Sequence, residues 1–264
     1  MTASAAAFDE RTTLARPDLA EQALEGLVWA RAYRPVRPMH GAGAIADIHA
    51  GAEVGSERID QLLAGEIFDV LDQSGDRVWG RARRDGIVGW MVLTALAEGA
   101  PLATHRVASV SAILPLNALV VETAPDDART PVGDFADDPV AVAESLLGVP
   151  HSLGARSSLA TDCSGLVQQA LYACGLPGPR HSDQQVGLGV AVDRAQARRG
   201  DIVVWLSGPD ERRWTGHSAF MLDADRVIHA TGHHGAVTIE GLAEAEARYR
   251  DGGFTAPLFR RLDR

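Results

Sequence analysis

The feature that most constrains the fold is a change of hydrophobic period in the C-terminal half of the chain. From residue 139 apolar residues recur at helical spacing, first in PVAVAESLLG and then in DCSGLVQQALYACGL, where Leu166, Val167, Ala170, Leu171 and Cys174 line one face. The first helix is predicted to open after Asp138 with Pro139 in its first turn, and Gly175 to end the second. Beyond residue 200 the pattern shortens to DIVVWL, HSAFML and RVIHAT, which read as strands. Helices come first and strands after, so this half is expected to be α+β, not alternating α/β.

The N-terminal half reads differently. PDLAEQALEGLVWA, residues 17–30, has helical spacing with Pro17 and Asp18 as start signals, and a short helix is expected there. From about Tyr33 to Leu96 short runs such as IADIHA, IFDVLD, RVWGRARR and IVGWMV are separated by Gly-, Asp- and Ser-containing turns, the pattern of a small all-β barrel. The clearest stretch is Glu66 to Trp90: strand, turn at Ser74-Gly75-Asp76, strand, turn at Asp85-Gly86, strand. THRVASVSAIL and NALVVET are candidate strands, and the Pro-, Asp- and Gly-rich TAPDDARTPVGDFADDP reads as a linker with a boundary near 135.

Composition narrows the partners. The 264 residues are 46% hydrophobic and carry a formal charge of −10, enough for a sizeable core and unfavourable for non-specific nucleic-acid or anionic-membrane binding. The two cysteines, Cys163 and Cys174, imply no disulfide framework. The first twenty residues place Asp9, Glu10 and Arg11 where a signal peptide needs an apolar run, and no stretch approaches the roughly 20 apolar residues of a membrane span. The expectation is a cytoplasmic chain with reduced thiols, no membrane contact and no cofactor.

Cys163 stands at the start of a predicted helix. The positive end of the helix dipole favours a thiolate there, and the unpaired N–H groups of the first turn can serve as oxyanion donors. Gly165 is expected to leave room for a substrate carbonyl. The bland reading, a small buried cysteine at a helix start, has about even weight on local sequence; for Cys174, inside the apolar stripe, it is favoured. His217 begins one strand and His229 lies in the next, so antiparallel pairing can set them side by side as a base and the group that orients it. His233 and His234 follow, but no carboxylate or second cysteine completes a metal site with them.

TDCSGLVQQAL, RRGDIVVW, GHSAFM and VIHAT, in that order, resemble the NlpC-type cell-wall cysteine peptidases, a papain-like fold, over roughly residues 139 to 264. The resemblance implies Cys163 as nucleophile, His217 as base and His229 as third member. SERIDQLLAGEIFDVLDQSGDRVWGRARRDGIVGW is similar to the bacterial SH3-like domain that precedes this catalytic domain in γ-D-glutamyl-L-diamino-acid endopeptidases. Those enzymes cut short muropeptides with a free N-terminal L-Ala between D-Glu and the diamino acid, and members without a signal peptide act in recycling. Their substrate-binding positions match Glu57, Asp162, Ser164 and Ser182, with Asp162 and Glu57 placed to pair the substrate ammonium.

The implied organisation is an N-terminal extension over 1–30, an SH3-like domain over 31–100, a shortened second SH3-like remnant or linker over 101–137, and the peptidase domain over 138–264. Two positions depart from the family pattern. His151 stands where a Tyr usually points at the reaction centre, and Ile87 stands where the SH3-like domain has a Tyr closing the pocket. The leading expectation is a muropeptide peptidase with His151 also at the substrate. The alternatives are a peptide-binding protein on a degenerate scaffold and another acyl transfer on the same fold; a lipid substrate is disfavoured by the acidic charge.

Overall fold

The computed structural model describes residues 8–110, 113–121, 128–208 and 215–262. Its contacts divide the chain into two units: residues 1–103 with 118–121, and residues 104–117 with 122–264. The stretch 101–137 is therefore shared between the two units.

The first unit is built on a seven-stranded antiparallel sheet. Its strands are β1 (Arg37–Gly41), β2 (Ile45–His49), β3 (Arg58–Leu63), β4 (Ile67–Ser74), β5 (Arg77–Ala82), β6 (Val88–Val92) and β7 (Leu96–Glu98). They lie in the order β3-β2-β6-β5-β4-β1-β7. The turns expected at Gly75 and Gly86 are present, and both glycines have positive φ, which β-branched residues would not tolerate. Alternating side chains of these strands, among them Met39, Ile48, Phe68, Val78 and Met91, form the core.

The expected helix over residues 17–30 is not there. The chain instead forms a two-residue strand, Ala20–Glu21, and one 3₁₀ turn, Gln22–Leu24. Leu14 and Leu19 pack extended against Leu71 and Trp79, and Glu21 pairs with Arg81 at 2.5 Å. Leu27 and Trp29 stay exposed, so the apolar stripe finds no face to bury. Propensity alone does not hold so short a helix, and Gly26 at φ +82° interrupts it.

The second unit is α+β. Helix α1 spans Pro139–Ser145, α2 Cys163–Ala173, α3 Ser182–Gln185 and α4 Leu242–Asp251. Six strands, β8 (Val190–Val192), β9 (Ile202–Leu206), β10 (Gly216–Met221), β11 (Arg226–Thr231), β12 (Ala236–Gly241) and β13 (Leu258–Arg261), form one sheet in the order β8-β13-β9-β10-β11-β12. All paired neighbours are antiparallel.

One face of this sheet packs Ile202, Val204, Phe220, Ile228 and Ala230 against α1 and α2. The other packs Val203, Trp205, Ala219, Met221 and Val227 against Leu242, Ala245 and Tyr249 of α4. Helix α2 is buried along almost its whole length, from Ser164 to Ala173. Its end turns at Gly175, φ +70°, where Leu176 N–H returns to Leu171 O. The last carbonyl, Ala173 O, accepts from the Arg106 guanidinium, which also binds Asp134 O. A pair of short strands, His105–Val107 and Arg129–Pro131, holds that arginine in place.

Candidate active site

Helix α2 starts at the thiol. Asp162 is the N-cap, with extended backbone, and its Oδ1 accepts from Gly165 N–H at 2.7 Å. Cys163 is then the first helical residue, at the positive end of the helix. Its Sγ lies 4.0 Å from Ser182 Oγ, and the N–H groups of Ser164 and Ser218 are directed at it. Ser218 belongs to β10, so the strand that carries His217 meets α2 at the sulfur. Gly216 lets the start of β10 lie close against β9: its φ is +152°, and a Cβ there would fall 2.4 Å from Trp205 O.

His217 Nε2 lies 2.9 Å from His229 Nδ1, and both rings are buried. The pair is formed across adjacent strands, β10 and β11, as the 12-residue separation anticipates. Tyr249 of α4 stacks on His217, ring centroids 4.3 Å apart and planes at 23°, and Trp205 stands at 5.9 Å. The imidazole is thus held against a pair of aromatic rings that also touch each other, centroids 5.0 Å apart. With Nε2 engaged by His229, Nδ1 is the nitrogen left for the thiol.

Electrostatics set the resting protonation. Burial, with the Asp162 carboxylate nearby, pushes the Cys163 thiol up to about 11, against the pull of the Ser218, Ser182 and Ser164 donors. Burial, with His229 and His151 nearby, holds His217 well below the ordinary imidazole range. Both shifts favour the neutral form, so at pH 7 the proton rests on sulfur. The helix start alone does not produce the expected thiolate; desolvation and one carboxylate outweigh it. Alkylation of Cys163 by iodoacetamide in a Cys174→Ser background is therefore expected to climb through and beyond the ordinary thiol value of about 8.5. A reactive plateau below pH 7 would show a preformed thiolate–imidazolium pair instead.

Two of the residues expected to touch substrate are occupied internally. Asp162 is buried against Arg180 in a two-pronged ion pair, Nη1 to Oδ1 at 3.0 Å and Nη2 to Oδ2 at 2.6 Å. Gly154 N–H also donates to its Oδ2, at 2.9 Å. Burial would raise this carboxyl, but Arg180 and the amides of Gly165 and Gly154 hold it below the ordinary value. Ser164 Oγ donates to Asp162 and accepts from Arg180, and Gln185 Nε2 holds Ser164 O. Asp162 and Ser164, both expected at the substrate, are thus joined to each other and to Arg180 beside the thiol.

Gly165 is likewise not an opening for substrate. A Cβ there would meet Ala155 O at 2.5 Å, so the glycine serves the packing of the preceding loop onto α2.

Ser182, expected to bind substrate, stands beside the thiol. His151 is in the electrostatic reach of His217, His229 and Asp162, and burial lowers its pKa. Its backbone is pinned by N–H to Gly235 O and by a bridge to Thr161. Glu57 lies in the first unit, just before β3, and its carbonyl accepts from Ala50 N–H. Ile87 is fully buried in the same unit, a core residue.

Sequence reading missed Arg180, Tyr249, Glu240 and Arg248. Tyr249 had a usable signal: Leu242, Ala245 and Tyr249 share one helical face. Among the described residues no group of three or more His, Cys, Asp or Glu side chains is placed to hold a metal ion.

Comparison with known proteins agrees with this layout. Residues 48–96 match the bacterial dipeptidyl-peptidase SH3 domain, and residues 148–253 match the NlpC/P60 family. Over residues 148–253 the chain is therefore similar to the NlpC/P60 family. The solved structure of an NlpC/P60 protein from Bacillus cereus superposes with a TM-score of 0.71 at 16% identity, over 85% of this chain and 99% of that one. The peptidoglycan endopeptidase RipB of Mycobacterium tuberculosis is 31% identical over 116 residues, 39% of this chain and 46% of RipB. A γ-D-glutamyl-L-lysine dipeptidyl-peptidase of Bacillus cereus is 30% identical over 106 residues, 40% of this chain and 30% of that enzyme. The chain spans less than half the length of these curated relatives.

Proposed function

We propose that this chain is a cysteine peptidase that hydrolyses the bond between γ-D-Glu and the diamino acid in short cell-wall peptides bearing a free N-terminal L-Ala. The observation that carries the reading is the convergence of Cys163, at the first position of α2, with the strand bearing His217, itself hydrogen-bonded to His229. The endopeptidase and dipeptidyl-peptidase relatives named above support the substrate class, as does the SH3-type unit.

The chemistry follows from the atoms present. His217 Nδ1 takes the thiol proton as Sγ attacks the γ-carbonyl of D-Glu, and Ser164 and Ser218 N–H groups stabilise charge on sulfur as it develops. The same imidazole then gives that proton to the leaving amine. A thioester remains until water, deprotonated by His217, releases the dipeptide. Because the resting pair is neutral, proton transfer accompanies attack.

The specificity claim is tested by comparing L-Ala-γ-D-Glu-meso-diaminopimelate with its N-acetylated form. Cleavage of the first and at least about tenfold slower cleavage of the second is expected, the loss of one good charge-assisted contact. Equal rates would show that the free terminus is not read.

A second reading, a peptide-binding protein on the same scaffold, is favoured by one observation: the raised thiol pKa beside Asp162. It predicts saturable binding of the same tripeptide with no release of the diamino acid.

A further inference from the structure

The hydrogen-bonded series that begins at His217 does not end at His229. His229 is buried, and its Nε2 faces Glu240 Oε1 at 3.3 Å. Among the described residues Nε2 has no other polar partner. Register explains the meeting. His229 of β11 pairs with Thr238 of β12, and Glu240, two residues on, falls on the same face of the sheet.

Glu240 is held in turn from the far side. Arg248 of α4 binds both of its oxygens, Nη1 to Oε2 at 3.0 Å and Nη2 to Oε1, and His234 Nε2 lies 3.0 Å from Oε2. Burial would raise the Glu240 carboxyl, yet His229, Arg248 and His234 hold it well below the ordinary range, so it is an anion at any working pH.

A carboxylate can only accept. The nitrogen facing it must therefore carry the proton, which leaves His229 Nδ1 as the acceptor. His217 Nε2, 2.9 Å away, must then be the donor, and its Nδ1 keeps the lone pair. That lone pair is what a base for the Cys163 thiol requires.

We propose that Glu240 is a positioning residue that fixes the tautomers of His229 and, through it, of His217, with Arg248 anchoring the carboxylate. This rests on Cys163 and His217 being the reacting pair. Without Glu240, His229 can carry its proton on Nδ1 and face His217 as a donor. His217 then must put its lone pair toward His229 and its proton toward the thiol, the form that cannot act as a base.

The test is Glu240→Gln, whose amide accepts or donates and so admits both tautomers, in protein with ¹⁵N-labelled histidine. In the parent at pH 7, two-bond ¹H–¹⁵N spectra are expected to show both His217 and His229 protonated at Nε2. In the variant, a mixture of tautomers is expected at both rings. kcat on the tripeptide should fall by about 10–100-fold with KM within about twofold, a smaller loss than removal of the orienting group next to the base gives.

In a His229→Gln background, Glu240→Gln should cost no more than about twofold further, because its route of action is gone. Parent rings protonated at Nδ1, or tautomers unchanged in Glu240→Gln, would overturn the assignment, as would kinetic losses that simply add. The spectra do not depend on turnover, so an inactive parent would count against the peptidase reading while leaving this assignment decided by the tautomers. Glu240→Asp, which keeps the charge, should retain the parent tautomers; if it too shows the mixture, Glu240 acts only by filling space.

Discussion

Replacing His217 by Gln is expected to lower kcat by about 10²–10⁴-fold, the range for loss of a positioned general base, while KM stays within about threefold. The effect is large because the base has no substitute. The thiol is pushed up to about 11 by burial and Asp162, so at pH 7 Cys163 carries almost no thiolate of its own. His217 Nδ1 must remove the proton during attack. His151 is within electrostatic reach, but its loop is tied to Gly235 and Thr161. Gln packs against Tyr249 and Trp205 without a basic nitrogen, so folding is expected to survive. Steady-state kinetics beside a thermal melt separates the two effects. A loss confined to KM, or a change under tenfold, would remove His217 from the chemistry.

Arg180→Met is expected to cost about 3–5 kcal/mol of stability, the penalty for leaving a buried charge without its partner. Arg180 is 1% exposed at its side chain and holds both oxygens of Asp162 as well as Ser164 Oγ. Without it, Asp162 keeps two amide donors and no counter-charge. Asp162→Asn in the same chain should recover a good part of the loss, since no bare anion then remains; a strictly additive double variant would contradict the account. The pair also sets an acid limit. The Asp162 pKa is lowered on folding, so its contribution is complete above the unfolded value of 3.8 and is lost as pH falls through the folded one. Denaturant titrations at pH 7 and below pH 4 check both statements.

Much of this site could be read before any coordinates. Cys163, His217 and His229 were visible because each sits where an element begins or pairs: a helix start after an N-cap, and two strands of adjacent register. The turns at Gly75 and Gly86 were visible for the same local reason, a φ that only glycine adopts freely.

What escaped depends on contacts between distant segments. Arg180 sits in a Pro- and Gly-rich loop, where an arginine reads as solvated surface, and only its burial under α2 reveals it. Glu240 and Arg248 looked like ordinary charges on a strand and a helix until β12 and α4 closed over His229. The helix expected over residues 17–30 failed for the converse reason. Its local pattern was sound, but the sheet buried Leu14 and Leu19 in extended chain and left Leu27 and Trp29 uncovered. Asp162 shows the same limit: the sequence gives a carboxylate beside the thiol, and only the fold says that Arg180 already holds it.

The most direct measurement is incubation of the full chain and its Cys163→Ala variant with L-Ala-γ-D-Glu-meso-diaminopimelate, with the products followed by mass spectrometry. The account predicts stoichiometric release of diaminopimelate and L-Ala-D-Glu by the parent and none by the variant. No release by the parent, or equal release by both, would contradict it.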